Sequence, residues 1–255
     1  MVATGGRSIG VDIGGTGIKG AVVDVQAGEM ATERVRIPTP QPATPERVAD
    51  VVVEVLDQIG HPGPVGATMP SVVLDGVIHT ASNIDHAWLG VDAAALFSNA
   101  TGRPVGVVND ADAAGIAEVR YGAGRGRHGV VVVITLGTGI GSAVFVDGEL
   151  VPNTELGHLP LHGEDAEDWA AESIRESDDL SWKSWAHRVE RYLDLVERLL
   201  WPHLIILGGG VSKKSDKFLP HIKLRTEVVP AQLHNDAGIV GAALFAPAAG
   251  TGTGG

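Results

Sequence analysis

The chain has 255 residues, 44% of them hydrophobic, a formal net charge of −12 and no cysteine. This length can bury one large core or two smaller ones. The lack of cysteine excludes disulfides and thiolate metal sites, and the acidic charge argues against nucleic acid as a partner. We find no apolar stretch of membrane-spanning length and no signal-peptide pattern, so we expect a cytoplasmic protein without a membrane partner.

Two stretches of the chain are near copies of each other. Residues 15–23 and 137–145 share six of nine residues, and each stretch lies between two apolar runs. This pattern predicts strand, Gly-rich turn and strand, with glycines adopting positive φ and backbone N–H groups converging on an anion. β-forming residues follow each turn directly, which does not fit a dinucleotide fingerprint, and no Walker loop is present. We therefore predict two phosphate-binding hairpins, formed by Gly14, Gly15, Thr16, Gly17, Gly137, Thr138 and Gly139.

Between the two copies, the pattern alternates between strands and helices. Residues 29–37 are expected to form a strand, and a Pro-rich connection leads to a helix with Thr44 as its N-cap and Gly60 at its end. A buried strand at 64–69 and a hairpin at 72–79 follow. These elements predict an α/β fold.

Two polar positions in this half are candidate ligand contacts. Asn83 lies in a polar loop together with Asp85 and Trp88, and it is either a turn former or a ligand contact. After a short helix over 92–101, an apolar strand over 104–108 runs into Asn109 and Asp110. Ligands bind at the carboxyl ends of strands in open α/β sheets, although Asp110 could simply cap the following helix.

The second half repeats the scheme. The acids between 164 and 179 are interpreted mostly as a solvated face, and Gly208, Gly209 and Gly210 as a turn that cradles a nucleotide or phosphate. Ser181 is expected to cap the longest helix. The predicted elements are strands at 130–136, 140–146, 149–151 and 204–207, helices from 181 to 202 and over 237–245, and a disordered tail at 248–255.

Five motifs in this order resemble those of the ROK sugar kinases, which belong to the actin/hexokinase/Hsp70 superfamily. The likeness covers residues 8 to about 246, nearly the whole chain. Three segments further resemble the actinobacterial polyphosphate glucokinases: 14–20, 109–114 and 238–243. The five motifs are Asp12-Ile-Gly-Gly-Thr16, Asn109-Asp-Ala111, Leu136-Gly-Thr-Gly139, Glu155-Leu-Gly-His158 and Gly208-Gly-Gly-Val-Ser212.

The resemblance implies an actin-like (ribonuclease H-like) fold with two lobes of duplicated βββαβα topology. A small N-terminal lobe would span 1–108 and a large C-terminal lobe 109–247, with the last helix, 237–246, packing back on the N-terminal lobe. Sugar and phosphate donor would meet between the lobes. We also expect a homodimer.

The resemblance also implies the activity and the role of each residue. Glucose would receive the terminal phosphoryl group of polyphosphate, ATP or both on its 6-hydroxyl, with Asp110 as the general base. The glucose contacts would be Asn83, Asn109, Asp110, Glu155, His158 and Glu167. Asp12 would position Mg²⁺ through water. The donor phosphates would be bound by Asp12, the two hairpins, Lys19, Gly208, Gly209, Gly210, Lys213, Lys214 and Lys217.

The chain departs from the family in one respect. Typical ROK members carry a Cys-rich zinc loop after the Glu-x-Gly-His motif, and this chain has no cysteine. We therefore expect no zinc and a sugar contact for His158. The alternative function is an actin-like assembly or chaperone-type ATPase without a sugar substrate, which would have no use for Asn109, Asp110, Glu155 and His158 together.

Overall fold

The computed structural model describes residues 6–82 and 84–247. Asn83 and the predicted tail at 248–255 lie outside these described residues. The described chain forms two compact units. Unit 1 contains residues up to Ala117 together with the segment from Asp236 onward, and unit 2 spans Glu118–Asn235. The boundary predicted from the sequence, between 108 and 109, lies at the end of a strand, whereas the structural boundary lies within the next helix.

The elements follow the alternation of strands and helices that the sequence predicts. The strands are β1 Arg7–Gly14, β2 Gly17–Asp24, β3 Glu29–Met30, β4 Val35–Ile37, β5 Val65–Met69, β6 Val73–Leu74, β7 Val77–Ile78, β8 Val105–Asn109, β9 Val130–Leu136, β10 Ile140–Val146, β11 Glu149–Val151, β12 Pro160–Leu161, β13 Glu164–Asp165, β14 Leu204–Gly208 and β15 Glu227–Pro230. The α-helices are α1 Pro45–Ile59, α2 Ala93–Thr101, α3 Asp110–Tyr121, α4 Ala166–Ala170, α5 Glu172–Ser177, α6 Trp182–Leu200 and α7 Ala237–Phe245. Short 3₁₀ segments cover His86–Trp88, Leu156–His158, Gly210–Lys217, Leu219–His221 and His234–Asp236.

The sheets of the two units have the same topology. In unit 1 the order is β3-β2-β1-β5-β8, with β4 also paired to β2. In unit 2 the order is β11-β10-β9-β14-β15. In each sheet an antiparallel hairpin is followed by two parallel strands, β5 and β8 in one and β14 and β15 in the other. The near-identical sequence copies are thus the matching hairpins β1–β2 and β9–β10.

Local signals account for most helix ends. Gly60 ends α1 in a left-handed conformation, with its N–H bonded to the Leu56 carbonyl. Ser181 caps α6 by accepting a hydrogen bond from the Ser184 N–H at 3.1 Å. Thr44 precedes α1 but makes no side-chain cap bond, so the helix start rests on Pro45 at its first position.

Two expectations for unit 1 are corrected. Residues 29–37 form two short strands, β3 and β4, because residues 31–34 leave the ladder between them. Trp88, assigned to a polar loop, is buried against Phe97, and its indole N–H donates to the Ala43 carbonyl at 2.9 Å.

Helix α7 lies directly on a row of glycines that crosses three strands. Gly10 of β1 pairs with Gly66 of β5, and Gly66 pairs with Gly106 of β8. A Cβ atom on these glycines would lie 1.8 Å, 1.8 Å and 2.5 Å from carbonyl oxygens of α7, at Ile239, Ala242 and Phe245 respectively. The backbone of α7 can therefore approach the sheet only because these positions carry no side chain.

Helix α7 is apolar on all sides, as expected for an element enclosed in a core. Among residues 6–82 and 84–247, no helix combines the length and the apolar character needed to cross a membrane.

The glycine row gives a stability prediction with a matched control on the same strand. Gly10→Ala should lower the free energy of unfolding by about 3 kcal/mol, because the new methyl group meets a backbone carbonyl that cannot rotate away. At Gly14, also on β1, a Cβ atom would have its nearest neighbour 3.4 Å away, so Gly14→Ala should cost far less. Chemical denaturation of both variants measures the difference, and equal stabilities would contradict this packing of α7 on the sheet.

Candidate functional site

The first hairpin closes with Gly14 paired to Gly17, and Gly15 and Thr16 form its exposed turn. Arg36 donates a hydrogen bond to the Thr16 carbonyl at 3.4 Å, and Thr39 donates one to the Gly14 carbonyl. The turn is therefore held from the side, while a Cβ at Gly15 would meet open space.

Asp12 lies on β1 just before this hairpin. Its carboxylate is 3.4 Å from the Lys19 ammonium and accepts a hydrogen bond from the Thr68 hydroxyl at 3.1 Å. The side chains of Asp12 and Lys19 are 20% and 28% exposed, so both can still reach a ligand.

The second hairpin is tied to helices α4 and α5. Glu167 of α4 accepts a hydrogen bond from the Ile140 N–H at 3.0 Å. Ser173 of α5 donates its N–H to the Gly137 carbonyl at 3.1 Å and its hydroxyl to the Thr138 carbonyl at 2.6 Å. Glu167 and Ser173, which lie further along the chain, thus hold the turn in place.

The positive φ angles predicted for the glycines of both turns are wrong. Gly14, Gly15, Gly17, Gly137 and Gly139, all described, have no positive φ angle. Gly17 and Gly139 instead allow close approach, because a Cβ there would lie 2.9 Å from Arg36 and 2.4 Å from Glu167.

Asn109 and Asp110 lie where β8 ends and α3 begins. The Asn109 side chain is buried, donates to the Ser71 carbonyl at 3.0 Å and accepts from the Asp112 N–H at 3.0 Å. Asn109 is therefore the residue that caps α3. Asp110, the first residue of α3, is exposed, and its carboxylate accepts a hydrogen bond from the Ala111 N–H at 2.8 Å.

His158 lies among three carboxylates. Its Nδ1 is 2.9 Å from Asp165 and 3.7 Å from Glu167, and its Nε2 is 3.8 Å from Glu155. The β12–β13 hairpin, turned by His162 and Gly163 at positive φ, returns the chain so that Asp165 reaches His158. With Nδ1 bonded to Asp165, the Nε2 edge is directed toward Glu155.

The net effect of burial and the neighbouring charges is to raise the pKa values of two groups in this cluster. Burial raises the pKa of Glu155, and the charge of Glu167 adds to this effect against the opposing effect of His158. Partial burial acts to lower the pKa of His158, but the Asp165 hydrogen bond and the charges of Glu167, Glu155 and Asp165 outweigh it, so the net pKa is raised. The cluster therefore favours a protonated imidazole.

Asp165 is a residue that sequence reasoning missed, since it was grouped with a solvated acidic face. Its role depends on the register of β12 and β13, which pairs it with Pro160. The sequence signal that could have indicated this role is an acidic residue that follows the Glu-x-Gly-His motif at the spacing of a short hairpin.

The Gly208–Gly210 turn follows β14 at the same sheet edge as the second hairpin. Gly209 has φ of 81°, and a Cβ on it would lie 2.2 Å from the Leu136 carbonyl oxygen. The next segment, Gly210–Lys217, is 3₁₀-helical and exposes Lys213, Lys214 and Lys217. The turn thus packs on the end of β9, next to the second hairpin.

Unit 1 contains a cavity of about 410 Å³ beside its hairpin. Gly14, Gly15, Met69, Ser82 and Ile84 line it, together with other residues. Its volume is in the range of small-molecule sites. Asn83, the predicted ligand contact between two of the lining residues, lies outside the described residues.

The donor chemistry at Asp12 fits a magnesium ion held through water. Mg²⁺ keeps several waters and usually takes one or two carboxylates, with substrate phosphates completing its shell. Asp12 offers one partly exposed carboxylate beside the hairpin. In the described ranges, no group of three or more His, Asp or Glu side chains is arranged to hold a metal ion by protein ligands alone.

Comparisons with known proteins identify relatives that are similar in sequence and in fold. The polyphosphate glucokinase of Mycobacterium tuberculosis is 49% identical over 239 residues, covering 93% of this chain and 90% of that protein. The crystal structure of the inorganic polyphosphate/ATP-glucomannokinase from Arthrobacter sp. strain KM is 55% identical, with a TM-score of 0.90 over 93% of this chain and 96% of that one. A ROK family glucokinase from Streptomyces griseus, solved with glucose and AMPPNP, is 26% identical, with a TM-score of 0.80 over 94% and 99% of the two chains.

The family match covers residues 8–173. The predicted fold class, the α/β actin-like fold of the two-lobed sugar kinases, is confirmed by these structures. The duplicated hairpins, the sheet topology and the sequence motifs agree with this family match. The chain belongs to the ROK family.

Proposed function

We propose that this chain is a glucokinase that transfers the terminal phosphoryl group of inorganic polyphosphate, ATP or both to the 6-hydroxyl of glucose. The observation that carries the proposal is the array of Glu155, His158, Asp165 and Glu167, a hydrogen-bonding set suited to a polyol. The relatives named polyphosphate glucokinase and glucomannokinase support it. They give no support to an assembly-type ATPase.

In this proposal Asp110 acts as the general base. The 6-oxygen attacks the terminal phosphorus, the bridging P–O bond of the donor breaks, and the hydroxyl proton passes to Asp110. Asn109, which caps α3, fixes the position of Asp110. Glu155, His158 and Glu167, with Asn83 and Asn109, hold the sugar hydroxyls.

The donor phosphates would be bound by the two hairpins and the Gly208–Gly210 turn, with Lys19 supplying positive charge there, while the lysines at 213, 214 and 217 would supply it to a donor chain longer than the triphosphate of ATP. A magnesium ion held through water by Asp12 would neutralise charge on the donor phosphates. The homodimeric state and the cytoplasmic location stay predictions, which size-exclusion chromatography and cell fractionation can test.

The activity is tested by measuring glucose-dependent consumption of polyphosphate and of ATP, with and without Mg²⁺. We expect glucose 6-phosphate to form only when Mg²⁺ is present. Consumption of ATP that is independent of glucose would instead support the ATPase alternative.

Asp110→Asn should lower turnover by two to four orders of magnitude, roughly the contribution of a positioned base, while glucose binding persists. Steady-state kinetics and glucose titration calorimetry measure the two effects separately. A folded variant with near-normal turnover would remove Asp110 from the proposed role.

Asp165→Asn tests how His158 is held. Removing the carboxylate should lower the pKa of His158, because the negative charge of Asp165 and the charge-assisted hydrogen bond that favours the imidazolium are lost. The KM for glucose should rise about tenfold, the cost of one orienting hydrogen bond to a charged group. The His158 pKa is read from an NMR titration of its ring protons.

The sign of the pH dependence follows from the raised pKa of folded His158. The stabilisation of the folded protein by the His158–Asp165 pair is fully present below the unfolded-state pKa, about 6.5, and is lost as pH rises through the folded-state pKa.

Asp168→Asn, at an exposed acid on the same helix as Glu167, is the matched control for Asp165→Asn. If both variants behave alike, Asp165 does not position His158.

A further inference from the structure

Three cationic side chains surround one tryptophan in unit 2. The Arg175 guanidinium lies 4.2 Å from the Trp182 ring centroid, and the ammonium groups of Lys214 and Lys217 each lie 5.6 Å from it. These residues come from α5, the start of α6 and the 3₁₀ segment after the Gly208–Gly210 turn. We name them the Trp182 cluster: Arg175, Trp182, Lys214 and Lys217.

The cluster holds more positive charge than its neighbours neutralise. Arg175 pairs with Glu176 at 3.0 Å, but the Glu176 side chain is 64% exposed, which makes this a weak surface pair. The buried Nε of Arg175 has no hydrogen-bond partner within the described part of the chain. In the same part, no carboxylate lies within ion-pair distance of Lys214 or Lys217.

Three like charges at one ring repel each other, and the attraction of each cation to the ring quadrupole offsets this repulsion only in part. An anion bound across the cluster would remove the repulsion.

The cluster is joined to the second phosphate hairpin on two sides. Two residues before Arg175, Ser173 donates its two hydrogen bonds to the hairpin carbonyls. The segment that carries Lys214 and Lys217 begins at Gly209, which packs on the Leu136 carbonyl at the base of the hairpin. The positive charge therefore continues outward from the predicted phosphate site.

The indole ring is not an open stacking platform for a base. Phe218 stacks on Trp182 with the ring centroids 6.3 Å apart, Trp185 meets it edge-on at 5.9 Å, and Arg175 lies over it. What the cluster offers to a ligand is cationic nitrogen, which suits a chain of phosphates better than a neutral nucleoside.

We propose that the Trp182 cluster binds the part of an inorganic polyphosphate chain that extends beyond the phosphates held at the hairpin. The proposal rests on the proposed function and adds to it a subsite that distinguishes long polyphosphate from ATP. Arg175 and Trp182 belong to this subsite in addition to Lys214 and Lys217, which the family resemblance already placed among the donor-phosphate contacts.

The test compares two variants with the same change in charge. Lys214→Gln/Lys217→Gln removes two cations of the cluster, and Lys183→Gln/Arg191→Gln removes two exposed cations elsewhere on α6. The cluster variant should raise the KM for long polyphosphate about tenfold. The slope of log KM against log salt concentration should also fall by about 1–2, because fewer counterions are released on binding. The KM for ATP should stay within about twofold of the wild-type value.

Each outcome separates the subsite from the activity itself. If the wild-type protein phosphorylates glucose and both double variants use long polyphosphate equally well, the subsite is refuted while the proposed function stands. Equal losses with ATP and polyphosphate would also refute it, because the cations would then serve phosphates common to both donors. Calorimetric binding of long polyphosphate without glucose gives a readout independent of turnover, and unchanged affinity in the cluster variant overturns the proposal.

Discussion

The close contact between α7 and the glycine row is the constraint on which the rest of unit 1 depends. Three strands must carry glycine at matching register positions, Gly10, Gly66 and Gly106, for the helix backbone to reach the sheet. The same contact sets the edge where ligands are expected. At the start of α7, a Cβ on Gly238 would lie 3.1 Å from the Asp12 carboxylate. The surroundings of Asp12 are thus set in part by a helix more than two hundred residues further along the chain.

Unit 2 uses glycine in the same way at its own ligand edge. Gly139 makes room for Glu167, and Gly157 lies against the Ile140 carbonyl, where a Cβ would be 2.3 Å away. These contacts bring the second hairpin, the 3₁₀ segment Leu156–His158 and α4 to one place. The abundance of glycine, 35 residues in all, therefore reflects close approach of backbone segments as much as turn formation.

The features predicted correctly were those set by local sequence. The repeated hairpins, the Ser181 cap and the Gly60 helix end follow from residues within one turn or strand, and the structure has each of them. The contacts of Asp165 with His158 and of Arg175 with Trp182 were not predicted, because they depend on strand register and on contacts between elements distant in sequence. The assigned roles of the site residues, Asp110 among them, stay predictions. Their motifs indicated the chemistry, but not the distances between side chains that come from different elements.

The discontinuous composition of unit 1 has a consequence for biosynthesis. The sheet strands β1, β5 and β8 leave the ribosome early, whereas α7, which covers their glycine row, follows all of unit 2. Until residues 237–245 have emerged, that face of the sheet lacks its covering helix and exposes apolar surface, the condition under which nascent chains aggregate or recruit chaperones. Unit 2 is continuous in sequence, and all of its strands are synthesised before residues 237–245. The order of synthesis therefore lets the second unit complete its core before the first.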